Sequence, residues 1–250
     1  MDADGPRSGG PRPEDGAPLI PAARWSAPRF AITALGAFLI AVLASTAVVL
    51  ALGLRGRPPE QRAAEEILAV ALVTDGALLV ALFGIGRVLL GLRPSDVGFR
   101  RASRRTLGFA AGAALGLWLL SIFVNALQIS LFGPNPQSLI VTIGAHRGVA
   151  ALVMDLITGA VAAPFAEEVL YRGLIFGGLA QRMPLAAAAT ISAFLFAISH
   201  GLGVVAPIFV LGLGLAWVYA RTGTIWAPMV THAVVNAISL LLVFTLPKPG

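Results

Sequence analysis

From Phe30 to Leu54 the chain runs 25 residues without a charged side chain. As a helix that stretch is about 37 Å long, enough to cross the roughly 30 Å hydrocarbon core of a bilayer with some tilt. Similar segments follow: Ile67 to Gly86, Thr106 to Phe132, Gly148 to Gln181, a stretch ending at His200, Leu202 to Ala220, and a last one through His232 and Asn236. Lipid offers no partner to a bare peptide group, so spans of this length close their hydrogen bonds internally as helices. The fold class expected is all-α, a polytopic transmembrane helical bundle of about seven spans, within six to eight. Composition agrees: 57% of residues are hydrophobic and 12% charged, far from a soluble average. The absence of cysteine excludes disulfides and thiolate metal sites.

The net charge of +6 does not point to nucleic acid, because the basic residues cluster beside the apolar spans. Arg87, Arg93, Arg100, Arg101, Arg104 and Arg105 face one acid, Asp96, whereas Arg55, Arg57 and Arg62 are interleaved with Glu60, Glu65 and Glu66. The positive-inside rule puts residues 87 to 105 in the cytoplasm, and the N-terminus with them. A surface attractive to anionic lipid follows as a by-product. The Pro-, Gly- and Asp-rich start reads as a disordered tail and not as a cleaved signal. The expected organisation is a cytoplasmic tail over 1–25, N-terminal transmembrane helices over 26–147 and a helical catalytic core over 148–246. The bias to Arg over Lys, with abundant Ala and Gly, suggests a bacterial cell-membrane protein.

Ala163 to Leu174, read A-P-F-A-E-E-V-L-Y-R-G-L, carries the chemistry. A carboxylate pair in membrane-grade sequence costs several kcal/mol unless it is paired or lines a wet cavity. Glu168 and Arg172 are four apart, Glu first, so they share a helix face as an ion pair. Glu167 lies about 100° round the helix and has no partner on it. Phe196 to His200 ends the next segment, and His232 to Asn236 lies in the last. Phe196, one turn before His200, is placed to orient it. His232 and Asn236, also four apart, share a face.

These residues resemble the EExxxR, FxxxH and HxxxN/D motifs of the CPBP family of intramembrane proteases, which includes CAAX prenyl endopeptidases, bacteriocin-processing enzymes and immunity-type homologues. The resemblance covers roughly Val149 to Leu242. It implies an intramembrane endopeptidase acting on a membrane-associated peptide or protein, with the bilayer and no nucleic acid as its surroundings. On this resemblance His200 helps hold a water while His232 and Asn236 face a developing oxyanion. Glu167 is the candidate base, and Glu168, Arg172 and Phe196 support it from behind. Two His and one Glu are also a catalytic zinc set, so Glu167, His200 and His232 would be the ligands if Zn2+ is used. Two non-proteolytic readings stay open: an immunity or scaffold protein using the same residues as a buried network, or a small transporter passing protons through Asp75, Asp155 and Glu167.

Depth along the helices supports convergence. Glu167 is about 22 Å from the turn at Arg182, and His200 about 24 Å from the same turn. Asn236 lies about 18 Å past Thr224 and His232 only about 12 Å, so Asn236 is expected within a turn of the first pair and His232 to join it by helix tilt or side-chain reach. The long fourth segment is expected to kink at Pro164 or to be two pieces meeting there. Asp75 reads as a packing or hydrogen-bonding residue and His146 as a solvated interface histidine. Gly133 to Pro136 reads as a turn. Ser199, beside His200, is expected to point elsewhere, and no HExxH or GxSxG pattern occurs.

Overall fold

The structure is a computed structural model that describes residues 25–58, 61–133 and 148–245. Among these residues it is helical, without strands. The helices are α1 (Ala27–Ala51), α2 (Ala64–Leu90), α3 (Arg104–Phe132), α4 (Val149–Ala180), α5 (Leu185–Ser199), α6 (Val205–Thr222) and α7 (Trp226–Thr245). By length and composition α5 is too short to cross a bilayer alone, while the other six, α6 counted with its preceding turn from Leu202, are long and apolar enough. The expected tail over 1–25 lies outside the described residues apart from Trp25. So do Pro134 to Pro136 of the expected turn, His146 and residue 246 of the expected core.

One end of the bundle gathers the N-terminus of α1, the α2–α3 loop, the α4–α5 turn and the α6–α7 turn. Arg182 donates to the Trp25 carbonyl, and the Ile225 N–H donates to the Gly98 carbonyl over 2.8 Å. The arginine-rich segments therefore share an end. The α2–α3 loop is a packed element: a short 3-10 turn, Pro94–Val97, capped by Asp96 Oδ2 accepting from the Arg93 N–H at 2.9 Å. Val97 is fully buried, and Leu92 nearly so.

α4 is one continuous helix with two changes of winding. Leu156–Ala162 and Val169–Phe176 are π-helical, flanking the α-helical turn Ala163–Glu168 that contains Pro164. Proline lacks an N–H and its ring clashes with the carbonyl four residues back. The wider i→i+5 turn just before it relieves both demands. Instead of breaking at Pro164, the helix loosens around it.

α5 and α6 form a short hairpin with close backbones. A Cβ on Gly212 would lie 2.9 Å from Ala193 Cβ and 3.0 Å from its Cα, so only glycine permits this approach. The hairpin turns at Gly201, φ +95°, a conformation glycine adopts without strain. Fifteen residues of α5 rise only about 22 Å, which leaves the turn at a depth where lipid cannot satisfy backbone groups. Gln128 on α3 supplies the partners. Its Nε2 donates to the Gly203 carbonyl, and its Oε1 accepts from the Ala206 N–H at 3.2 Å. α3 is stitched to α7 as well, by Thr231 Oγ1 donating to the Ala110 carbonyl at 2.9 Å and Trp118 Nε1 donating to Ser239 Oγ at 3.1 Å.

Candidate active site

α4, α5 and α7 meet around the motif residues. The innermost layer is charged and dry: Glu168 and Arg172 are both 0% exposed, with Arg172 Nη1 donating to Glu168 Oε1 at 2.9 Å. Arg172 also donates through Nη2 to the Gly212 carbonyl at 3.2 Å, and its guanidinium carbon lies 4.3 Å from the centre of the Phe196 ring. A buried guanidinium needs this many partners. Gly212 therefore does two things, letting α5 and α6 touch and presenting a carbonyl to Arg172.

His232, 3% exposed, stands between the two glutamates. Its Nδ1 is 2.9 Å from Glu168 Oε1 and its Nε2 is 3.9 Å from Glu167 Oε2. His200, 30% exposed, sets Nε2 3.7 Å from Glu167 Oε1 and Nδ1 2.8 Å from the Phe196 carbonyl. A carbonyl only accepts, and so does an ionised carboxylate. Nδ1 is thus the protonated nitrogen of each neutral ring, and each Nε2 turns a lone pair towards Glu167. Glu167, 22% exposed, is the accessible carboxylate of the pair. The gaps of 3.7 and 3.9 Å exceed hydrogen-bonding range and suit a bridging water.

Phe196 does more than orient His200. Fully buried, its ring meets His200 (4.6 Å between centroids), His232 (5.6 Å) and Tyr171 (5.1 Å), each edge-on. One aromatic ring thus sets both imidazoles and, on one face, the guanidinium.

Three expectations are revised by geometry. Depth counting left His232 short and brought Asn236 level, but His232 is the one between the glutamates. Asn236 lies a turn beyond His232, where Nδ2 donates to the Gly159 carbonyl of the first π stretch at 2.7 Å. Ser199 does not point away: Tyr171 donates to Ser199 Oγ at 2.9 Å, Ser199 donates to the Phe196 carbonyl at 2.8 Å, and Oγ is 3.4 Å from His200 Nδ1. Tyr171, inside the E-E-V-L-Y-R stretch, went unread although a phenol in an apolar segment requires a partner. The Gly159 and Gly212 carbonyls had no sequence signal, because every residue has one.

Asp75, half-buried on α2, has an Oδ2 that is buried without a hydrogen-bond partner among the described residues. Asp155 marks the point on α4 where the first π stretch begins.

Glu167, His200 and His232 are the residues that would hold a zinc ion here. The residue types suit zinc, and each ring is held by its other nitrogen as a ligating histidine is. The two Nε2 atoms, however, face different oxygens of Glu167, at 3.7 and 3.9 Å. Among the described residues no group of three or more His, Cys, Asp or Glu is gathered to hold a metal ion. The arrangement as it stands does not fit a metal cage.

A helical bundle of membrane-spanning length with a buried Glu–Arg–His centre defines the class as a polytopic membrane protein. Residues 149–238 match the family model described as type II CAAX prenyl endopeptidase Rce1-like. The chain is also similar to a Bacillus subtilis (strain 168) protein named "Putative membrane peptidase YdiL", at 26% identity over 167 residues, covering 62% of this chain and 66% of that protein. It thus spans just under two thirds of that relative's length. No solved structure matches. Over residues 149–238 the chain is thus similar to a CAAX prenyl endopeptidase family, and over 167 residues to a protein named as a membrane peptidase.

Proposed function

We propose that the protein is an intramembrane endopeptidase that hydrolyses a peptide bond in a membrane-associated peptide or protein, with Glu167 as the base that activates water. The observation that carries this reading is the convergence of two imidazole Nε2 lone pairs on the one accessible carboxylate, each ring held by its Nδ1. A water held by Glu167 and His200 gives its proton to Glu167 as its oxygen attacks the scissile carbonyl carbon. Collapse of the tetrahedral intermediate breaks the C–N bond, and Glu167 returns the proton to the leaving amine.

His232 suits the oxyanion role. That role needs a second proton, taken from solvent onto the Nε2 that rests as a lone pair, and Glu168 at Nδ1, itself neutralised by Arg172, stabilises the resulting imidazolium as the buried carboxylate of a serine-protease triad does. Asn236 has a second Nδ2 hydrogen besides the one given to Gly159, which makes it a secondary donor. No step here runs through a metal.

The test is a peptidase assay on the purified full chain with metal analysis, comparing wild type with Glu167→Gln. Cleavage by wild type and none by the variant is the expected result. A well-folded wild type that cleaves no membrane peptide would instead favour the immunity or scaffold reading, in which the same residues only hold the bundle together.

A further inference from the structure

We propose that the α2–α3 loop is an anionic-lipid clamp: its outer face binds the phosphate headgroups of acidic phospholipids, and its inner face holds together the helices of the candidate active site. Arg93, Arg100, Arg101, Arg104 and Arg105 are all exposed on this one short segment. The loop's acid, Asp96, is folded back onto the Arg93 N–H and so offers little neutralisation to the side chains around it. Arg93, Arg101, Arg104 and Arg105 have no acidic partner among the described residues. Arg104 and Arg105 occupy the first turn of α3, where the helix dipole disfavours cations. Helix stability therefore does not account for them, whereas an anionic bilayer surface complements all five.

The inner face shows what such binding would reach. Val97 packs where a Cβ on Gly173 would lie 2.7 Å from it, and Gly173 follows Arg172 directly. The Phe99 ring lies 5.8 Å from that of Phe165, two residues before Glu167, and 5.4 Å from that of Trp226. Thr224 Oγ1 donates to the Arg100 carbonyl at 2.8 Å, and the Ile225 N–H to the Gly98 carbonyl at the same distance. Thr224 and Ile225 lead into α7, which carries His232. The loop thus touches α4 on both sides of its glutamates and the start of α7. Headgroup phosphates that hold the arginines hold the loop down, and the loop holds α4 against α7.

The lipid half of this inference stands independently of peptidase activity, so it is read from stability. The full chain is reconstituted in nanodiscs of phosphatidylcholine alone or mixed with phosphatidylglycerol, and thermal unfolding is followed in each. The expected result is a higher Tm with phosphatidylglycerol, reduced by salt. The gain should be lost in R101Q/R104Q/R105Q but kept in Arg55→Gln at the opposite end. Each arginine removed should lower the preference for anionic lipid about fivefold, and Arg101→Gln alone provides that measurement if the triple variant does not fold. Val97→Ala should keep the lipid preference but shrink the Tm gain. A triple variant that keeps the full gain overturns the lipid site, and an undiminished gain in Val97→Ala overturns the clamp. A gain produced equally by a soluble acidic peptide in phosphatidylcholine discs would assign the face to a protein partner instead. Absence of cleavage in every lipid would count against the proposed function and leave this inference standing.

Discussion

Glu167 and Glu168 are neighbours in the chain with opposite surroundings. Glu168 is enclosed, with Arg172 and His232 both on its Oε1, while Glu167 faces two imidazoles across gaps wide enough for water. Removing each should therefore fail differently. Glu167→Gln should abolish cleavage with insertion and thermal unfolding in detergent unchanged. Glu168→Ala should lose about 3 to 5 kcal/mol of stability, because it strands a buried guanidinium, and the same melts measure it. An inactive but stable Glu168→Gln beside an active Glu167→Gln would reverse the two roles. Asn236 separates the metal-free and zinc chemistries. As an oxyanion donor its loss should lower turnover about 100-fold or more without changing bound metal, whereas as support for a zinc-bound His232 its loss should weaken metal affinity about 10- to 100-fold. Zinc content and turnover measured together in Asn236→Ala decide between them; stoichiometric zinc in active wild type, lost in His200→Ala, would end the metal-free reading.

α4 presents its residues as it does because its winding changes twice within one span. The second π stretch holds Tyr171 and Arg172 and begins directly after Glu168, and π turns inside α-helices are frequent at functional sites. α5 and α6 contribute through contact, not charge, and the contact is testable. Gly212→Ala would set a Cβ against Ala193, including its backbone Cα, and shift the carbonyl that Arg172 uses. Forcing the helices apart should cost about 1 to 3 kcal/mol and lower activity. Gly214→Ala should be milder, since the Leu117 side-chain atoms it meets can move. Ala193→Gly placed in the Gly212→Ala background removes one of the two Ala193 atoms in the way and should restore part of the lost melting temperature and turnover; no recovery at all would count against packing at that contact.

Across the whole molecule, seven apolar helices put the N-terminus of α1 and the arginine-rich turns at one end and the end of α7 at the other. This end is expected to be cytoplasmic. The chain has no cysteine, so single cysteines at Arg101 and Arg55 can be labelled from either side of the membrane. A cysteine at 101 that reacts with an impermeant reagent from outside would invert the topology. Most of this arrangement was legible in the chain: uncharged runs fix spans, arginine clusters fix a common end, and the i,i+4 spacing of Glu168 and Arg172 fixes their ion pair, because each depends only on length, charge or helical period. Three things were decided by tertiary structure. The π winding of α4 answers to packing and to Pro164, and the contact of α7 with α4 puts His232 at the centre in place of Asn236. Phe196 meets four side chains because two helices from distant parts of the chain close on it. The α2–α3 loop reads as plain charge in sequence, yet Val97 and Phe99 lie against α4 and α7. No local pattern marks a residue whose partner lies far along the chain. Period and charge act within a few residues, whereas the contacts that close the site reach across 28 to 77 residues.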